Sequence, residues 1–269
     1  MWNGKPNGLP LLFLNIIGFL GTVIVNGLAA ALPLNNKTTA ELSDQYPNLF
    51  VPAGLTFSVW GLIYLLLAVF VIYQVQANIK NDTVLMPAYR KIGVRFLLAS
   101  ILNIAWIFAW HYQVVGVSVI IMILLLASLI SIYLSLGIGK SNAPRKEQYL
   151  VHLPFSVYLG WITIATIANI TAWLVEINWD RFGLSDQFWA VLVIIVGIGI
   201  AIYQLTRRGD IYFSLIVDWA LLGILLKRLA TTPVVQSVIL FAVIGLAFIT
   251  LGVILQILRG KVYIRREEE

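Results

Sequence analysis

Apolar runs of about 20 residues recur along the chain, separated by short stretches that hold most of its charges and prolines. Runs of that length cross the roughly 30 Å hydrocarbon core of a bilayer as helices. Eight such spans are predicted, at roughly 10–32, 51–74, 93–113, 115–137, 150–175, 187–205, 210–230 and 235–258. The expected fold class is therefore an all-α integral membrane protein. The first run is not read as a cleavable signal peptide, because its flanks are weakly charged. Two polar connections stand out: residues 33–50, "PLNNKTTAELSDQYPNLF", and residues 176–186, "EINWDRFGLSD". Connections of this kind serve as lids, binding elements or plain solvated linkers.

Composition agrees with the pattern. Hydrophobic residues make up 60% of the 269 positions and charged residues only 11%, where soluble proteins carry about a quarter. The net charge of +6 is explained by topology. With the N-terminus in the cytoplasm and eight alternating spans, 14 of the 18 Lys and Arg fall inside, from Lys5 and Lys80 to Arg265 and Arg266. Only Lys37, Arg181, Lys227 and Arg228 remain outside. This is the positive-inside bias: both termini are expected in the cytoplasm, and no nucleic-acid partner is needed. The absence of cysteine removes thiolate chemistry, and two histidines, His111 and His152, are too few for a histidine-built metal site. Walker loop, His-Glu metal signature, serine triad and mid-span lysine are absent as well. No catalytic or metal-binding residue is assigned.

Three spans concentrate aromatic and amide residues on one face. Phe57, Trp60 and Tyr64 follow i, i+3, i+7, and so do Asn103, Trp106 and Trp110. Tyr158, Trp161, Ala165 and Asn169 extend the series. Trp173, Trp179 and Trp189 lie near span ends and suit an interfacial aromatic belt. Trp161 lies about 11 residues into its span, near the midplane. An indole N–H at that depth needs an acceptor. Asn103 and Asn169 must face the bundle, either as interhelical glue or as ligand contacts. The alternating topology puts Trp60, Trp106, Trp110 and Asn169 in the outer half of the membrane. A pocket lined by Trp60, Tyr64, Asn103, Trp106, Trp110, Tyr158, Trp161, Ala165 and Asn169 has the general form of a small-molecule site.

The same residues carry a resemblance. Pro52, Val59-Trp60 and Ile63-Tyr64, then Leu102-Asn103 with Trp106, then Tyr158-Leu159 with Trp161, Ala165 and Asn169, resemble the motifs of the TspO/MBR family. These are the tryptophan-rich sensory proteins related to the mitochondrial translocator protein. The chain departs from the family pattern at Val51, Gly54, Ala99 and Val157. The resemblance implies a five-helix bundle over residues 1–177, with residues 178–269 as a three-helix extension ending in a basic tail. It implies an eight-helix microbial variant in a prokaryotic cell membrane. It also implies a porphyrin- or sterol-like apolar ligand, with a tetrapyrrole bound as ligand and no cofactor required. Light-dependent porphyrin breakdown is an implied activity mapping to Trp60 and Trp161, although a binder or sensor is expected rather than an enzyme. The expected partners are the lipid bilayer and that ligand, with a homodimer left open.

Span seven raises a rival reading. Asp218 lies near its midplane, where a carboxylate commonly serves as a proton relay or counter-ion. A proton-coupled transporter centred on Asp218 is the alternative function, and a structural pairing of Asp218 is the plain one. Lys227, Arg228 and Arg95 are expected to snorkel. The tail "LRGKVYIR" is expected to do the same, despite its loose match to a cholesterol pattern.

Overall fold

The computed structural model describes residues 9–31, 34–80, 82 and 85–265. Lys5 and Arg266 of the charge count, Leu32 of the first span and Pro33 of the first outer loop lie outside these residues. Among the described residues all regular structure is helical. Eight long helices form: α1 (Leu9–Ala31), α2 (Val59–Lys80), α3 (Arg95–His111), α4 (Val115–Leu136), α5 (Leu153–Glu176), α6 (Asp186–Arg208), α7 (Ile211–Leu229) and α8 (Gln236–Leu258). By length and composition six can cross a membrane, and a seventh counts when the short helix Met86–Ile92 is joined to α3 across a 52° bend. Large apolar side chains such as Phe13, Ile17, Leu65, Ile120, Leu240 and Phe248 point outward. In water such a surface would aggregate, and in a bilayer it meets lipid. The chain is an integral membrane protein.

The helix outside the apolar set is α7, and its packing explains why. It lies against α5, α6 and α8, with Ile211, Phe213, Val217, Asp218, Leu221 and Arg228 all buried. A helix surrounded by protein can carry a carboxylate and two cations, which a lipid-facing helix cannot do cheaply. On the other side α5 packs against α2, α4 and α7, while α1 packs on α2 and α3. Thus α5 and α7 form the spine, and the last three helices press onto the first five.

Several local predictions change. Residues Gly54–Ser58 form a 3-10 turn, and the α-helix starts only at Val59. Pro52 therefore precedes the helix. The Thr56 backbone carbonyl accepts the indole N–H of Trp219 (2.9 Å). The N–H of Ala53 reaches the carbonyl of Gly223 (2.9 Å). Gly223 is required by this approach, because a Cβ there would lie 1.9 Å from Thr56 Oγ1.

The opposite end is fastened by Asp210, which is 1% exposed. Its carboxylate caps α7 at the N–H of Phe213 (3.1 Å) and accepts from Ser156 of α5 (2.6 Å) and Tyr133 of α4 (2.7 Å). A buried carboxylate is tolerated where donors and a helix N-terminus surround it. Within the tail, Val262, Tyr263 and Ile264 are buried, while Arg259 and Lys261 are exposed. The Tyr263 hydroxyl is 2.8 Å from both His152 Nδ1 and Ser141 Oγ, and its N–H donates to Gly209 O (3.0 Å). Gly209 has φ +63°, and a Cβ there would lie 2.4 Å from Lys261 O. Only glycine accepts both conditions. Arg95 instead donates to Lys91 O (2.6 Å), tying the bend.

Gly223→Ala is expected to lower stability by about 1–3 kcal/mol, the usual cost of overpacking. Combining it with Thr56→Ala is expected to recover most of that loss. Thermal unfolding of the purified protein in detergent reads both effects.

Candidate functional site

The site is built on the start of α2, the end of α3 and the middle of α5. Trp60 of α2 is its hub: it stacks on Tyr64 (ring centroids 5.6 Å apart), meets Trp161 edge-on (6.1 Å, 84°) and lies 6.3 Å from Trp106. Trp106 stacks on Trp110 one turn along α3 (5.9 Å), and Phe57 contacts Trp161 edge-on (5.9 Å). Edge-to-face and offset arrangements are those that aromatic quadrupoles favour. Four tryptophans from three helices thus face one cavity of about 40 Å³. That is room for roughly one water molecule.

The predicted site residues separate into two groups. Trp60, Trp106, Trp110, Trp161, Ala165 and Asn169 line the cavity. Asn103 and Tyr158 lie beside it and act as interhelical glue. Asn103 accepts from Asn26 of α1 (2.7 Å) and donates to the Tyr158 hydroxyl (3.2 Å). Tyr64 supports Trp60 from below; its hydroxyl is buried with no hydrogen-bond partner among the described residues. Asn169 serves both purposes: it accepts the Trp106 indole N–H (2.9 Å), donates to Ser118 of α4 (2.9 Å) and borders the cavity. Trp161 is 3% exposed, and its Nε1 also has no partner among the described residues. Trp161 thus keeps an unspent donor on a side chain that lines the cavity.

Some wall residues escaped the sequence reading. Ala220 and Ile224 of α7 close one side of the cavity. Thr39, Ser43 and Phe50, from the loop between α1 and α2, close the top. That loop holds a short helix, Thr39–Asp44, opened by a capping box between Thr38 and Glu41. The spacing "TTAE" contains this signal. Hydrogen bonding to Thr38 holds the Glu41 carboxyl below its usual range. The loop is fastened at several points, both within itself and to the bundle. Trp110 Nε1 donates to Thr39 O (3.4 Å), Asn48 Oδ1 accepts the N–H groups of Phe50 and Val51 (3.0 and 3.1 Å), and Lys227 of α7 bonds Asp44 (2.6 Å). Lys227 therefore holds the lid rather than reaching for headgroups. Arg228, also expected to snorkel, is buried instead, with Nε unpartnered among the described residues.

Asp218 lies apart from the cage, on the α8 side of α7. Thr250 donates to its Oδ2 (2.7 Å), while its Oδ1 is buried without a partner among the described residues.

The cage residues are the ones that carry the motif resemblance, and comparison with known families agrees. The model of the TSPO-like protein family matches residues 12–255. The chain belongs to the TSPO-like family. The match extends beyond the five-helix region through α6 and α7 into α8, so the TSPO-like similarity takes in the helix that closes the cage. No curated protein and no solved structure matches the chain.

Asn169→Leu is expected to cost about 1–3 kcal/mol, because the Trp106 N–H and Ser118 would lose a buried partner. Adding Ser118→Ala is expected to cost less than the sum of the single losses, since both belong to one network. Thermal unfolding of the three variants tests the coupling.

Proposed function

We propose that this TSPO-like protein binds a flat, apolar ring ligand of the tetrapyrrole class in the tryptophan cage, as a binder or sensor rather than an enzyme. The observation that carries the reading is the unpartnered Trp161 N–H beside a cavity walled by four tryptophans. Indole faces stack on a conjugated ring, and the N–H supplies a directional contact to a ring or substituent acceptor. Ligand sites commonly measure 300–1,000 Å³, so the closed cage of about 40 Å³ must expand to admit such a molecule. The part able to move is the lid, whose ties to the bundle include the Trp110–Thr39 and Lys227–Asp44 contacts. The reading places all eight helices across a prokaryotic membrane with both termini inside, as the distribution of Lys and Arg favours. The cage then opens towards the outer face.

Protoporphyrin IX is expected to quench the tryptophan fluorescence of the purified protein saturably. Trp161→Phe is expected to weaken binding about 2- to 10-fold, the worth of one hydrogen bond. Trp60→Ala, which removes the hub, is expected to weaken it further. Linear quenching without saturation would refute the reading.

A specific observation supports a second reading, proton-coupled transport. The buried, half-satisfied Asp218 carboxylate is a natural proton site inside a membrane. Proteoliposomes with an imposed proton gradient are expected to accumulate the transported molecule with Asp218 and to lose that coupling in Asp218→Asn. Equal uptake by both proteins would end this reading.

A further inference from the structure

The cage has a larger neighbour. A crevice of about 490 Å³ lies between α5, α6 and residues 47–50, within the size range of small-molecule sites. Ile170, Thr171 and Leu174 of α5 form one wall, and Ala190 and Val193 of α6 form the other. Trp179, Trp189 and Arg181 stand at its outer end. Phe50 lines both the crevice and the cage, and it is 2% exposed. It is therefore the shared partition. Its backbone is pinned by Asn48, leaving the side chain as the part that can swing. The two spaces are also joined through α5: Ala165, Ala168 and Asn169 face the cage, and Ile167, Ile170 and Thr171 face the crevice.

The outer end is built with unusual backbone. Asn178, Arg181 and Phe182 have φ of +51°, +59° and +53°. Left-handed conformations at residues other than glycine persist where the surroundings enforce them, and they concentrate at binding sites. Here they set Arg181 at the mouth, where it pairs with Asp186 (2.7 Å) and its carbonyl accepts the Trp189 indole N–H (3.0 Å). A guanidinium has five donors, and the Asp186 bond engages only one nitrogen. The mouth thus presents a cation beside two indoles, above apolar walls.

We infer that the α5–α6 crevice is the first docking site of the ligand, a flat apolar ring bearing a carboxylate, and that Phe50 gates its passage into the cage. This inference rests on the proposed binding function. The carboxylate meets Arg181, the ring lies against Trp179 and Trp189, and displacement of Phe50 opens the way to Trp161. The path explains how a small, lidded cage can be reached from the side, where a membrane-dissolved ligand resides.

Stopped-flow quenching by protoporphyrin IX and by its dimethyl ester tests this in nanodiscs. Thr171→Phe, which fills the crevice, is expected to slow association at least tenfold. Val196→Phe on the exposed face of α6 is the control, and Phe50→Ala is expected to accelerate it. Arg181→Gln is expected to slow association of the diacid several-fold and to leave the ester unaffected. Thermal unfolding verifies that each variant is folded, and if Thr171→Phe fails to fold, the Arg181 comparison decides. Saturable binding with the same rate in Thr171→Phe, or equal effects of Arg181→Gln on acid and ester, overturns the crevice route while the cage reading stands. No saturable binding by the wild-type protein overturns both.

Discussion

The arrangement of the site depends on one contact, the seating of the 53–58 turn against α7. An N–H from Ala53 to Gly223, an indole from Trp219 to Thr56, and the missing Cβ of Gly223 bring two backbones together. In hydrocarbon those backbone groups have no water to turn to, so a residue lead-in that is not yet α-helical must find partners on another helix. Once seated, it fixes where α2 begins and so the direction of Phe57 and Trp60. The tryptophan cage is therefore a product of four helices and the 34–50 loop, even though its motifs lie on three helices.

The same accounting organises the polar groups. Asn26, Asn103 and Tyr158 satisfy one another across α1, α3 and α5, and Asp210 is surrounded by donors from α4, α5 and α7. These are pairings that hold helices in register. Against that background, Trp161 Nε1 beside the cage and Asp218 Oδ1 on α7 differ. Each is a buried group with hydrogen-bonding capacity unspent, in a medium where that is expensive. Other buried groups, such as the Tyr64 hydroxyl and Arg228 Nε, share that condition, but Trp161 and Asp218 are the two that support the functional readings.

Much of this was legible in the sequence, for physical reasons. Most of the helices follow from apolar run length, and the cage tryptophans from the i, i+3, i+7 spacing, because both are properties of a single helix. The cage walls from α7 and the lid were not legible. Ala220, Ile224 and Phe50 carry no chemical signature, and their place depends on which helices pack together. Lys227 and Arg228 misled for the same reason: snorkelling is the default for a cation at a lipid-facing helix end, but α7 faces protein. Tyr263 read as part of a basic tail because its partners, Ser141 and His152, are more than 100 residues away. Neither the bend after Ile92 nor the 3-10 lead-in to α2 altered hydropathy, so periodicity alone could not reveal them.

The distance along the chain between Thr56 and Trp219, 163 residues, has a consequence for assembly. At a synthesis rate of about 5–20 residues per second, roughly ten seconds or more separate the arrival of α2 from that of its partner. Throughout that interval the Ala53 N–H and the Thr56 carbonyl lack the contacts that will later hold them. The wall of the cage thus reaches the membrane before the helix that shapes it, and its final geometry is set in the closing stage of biogenesis.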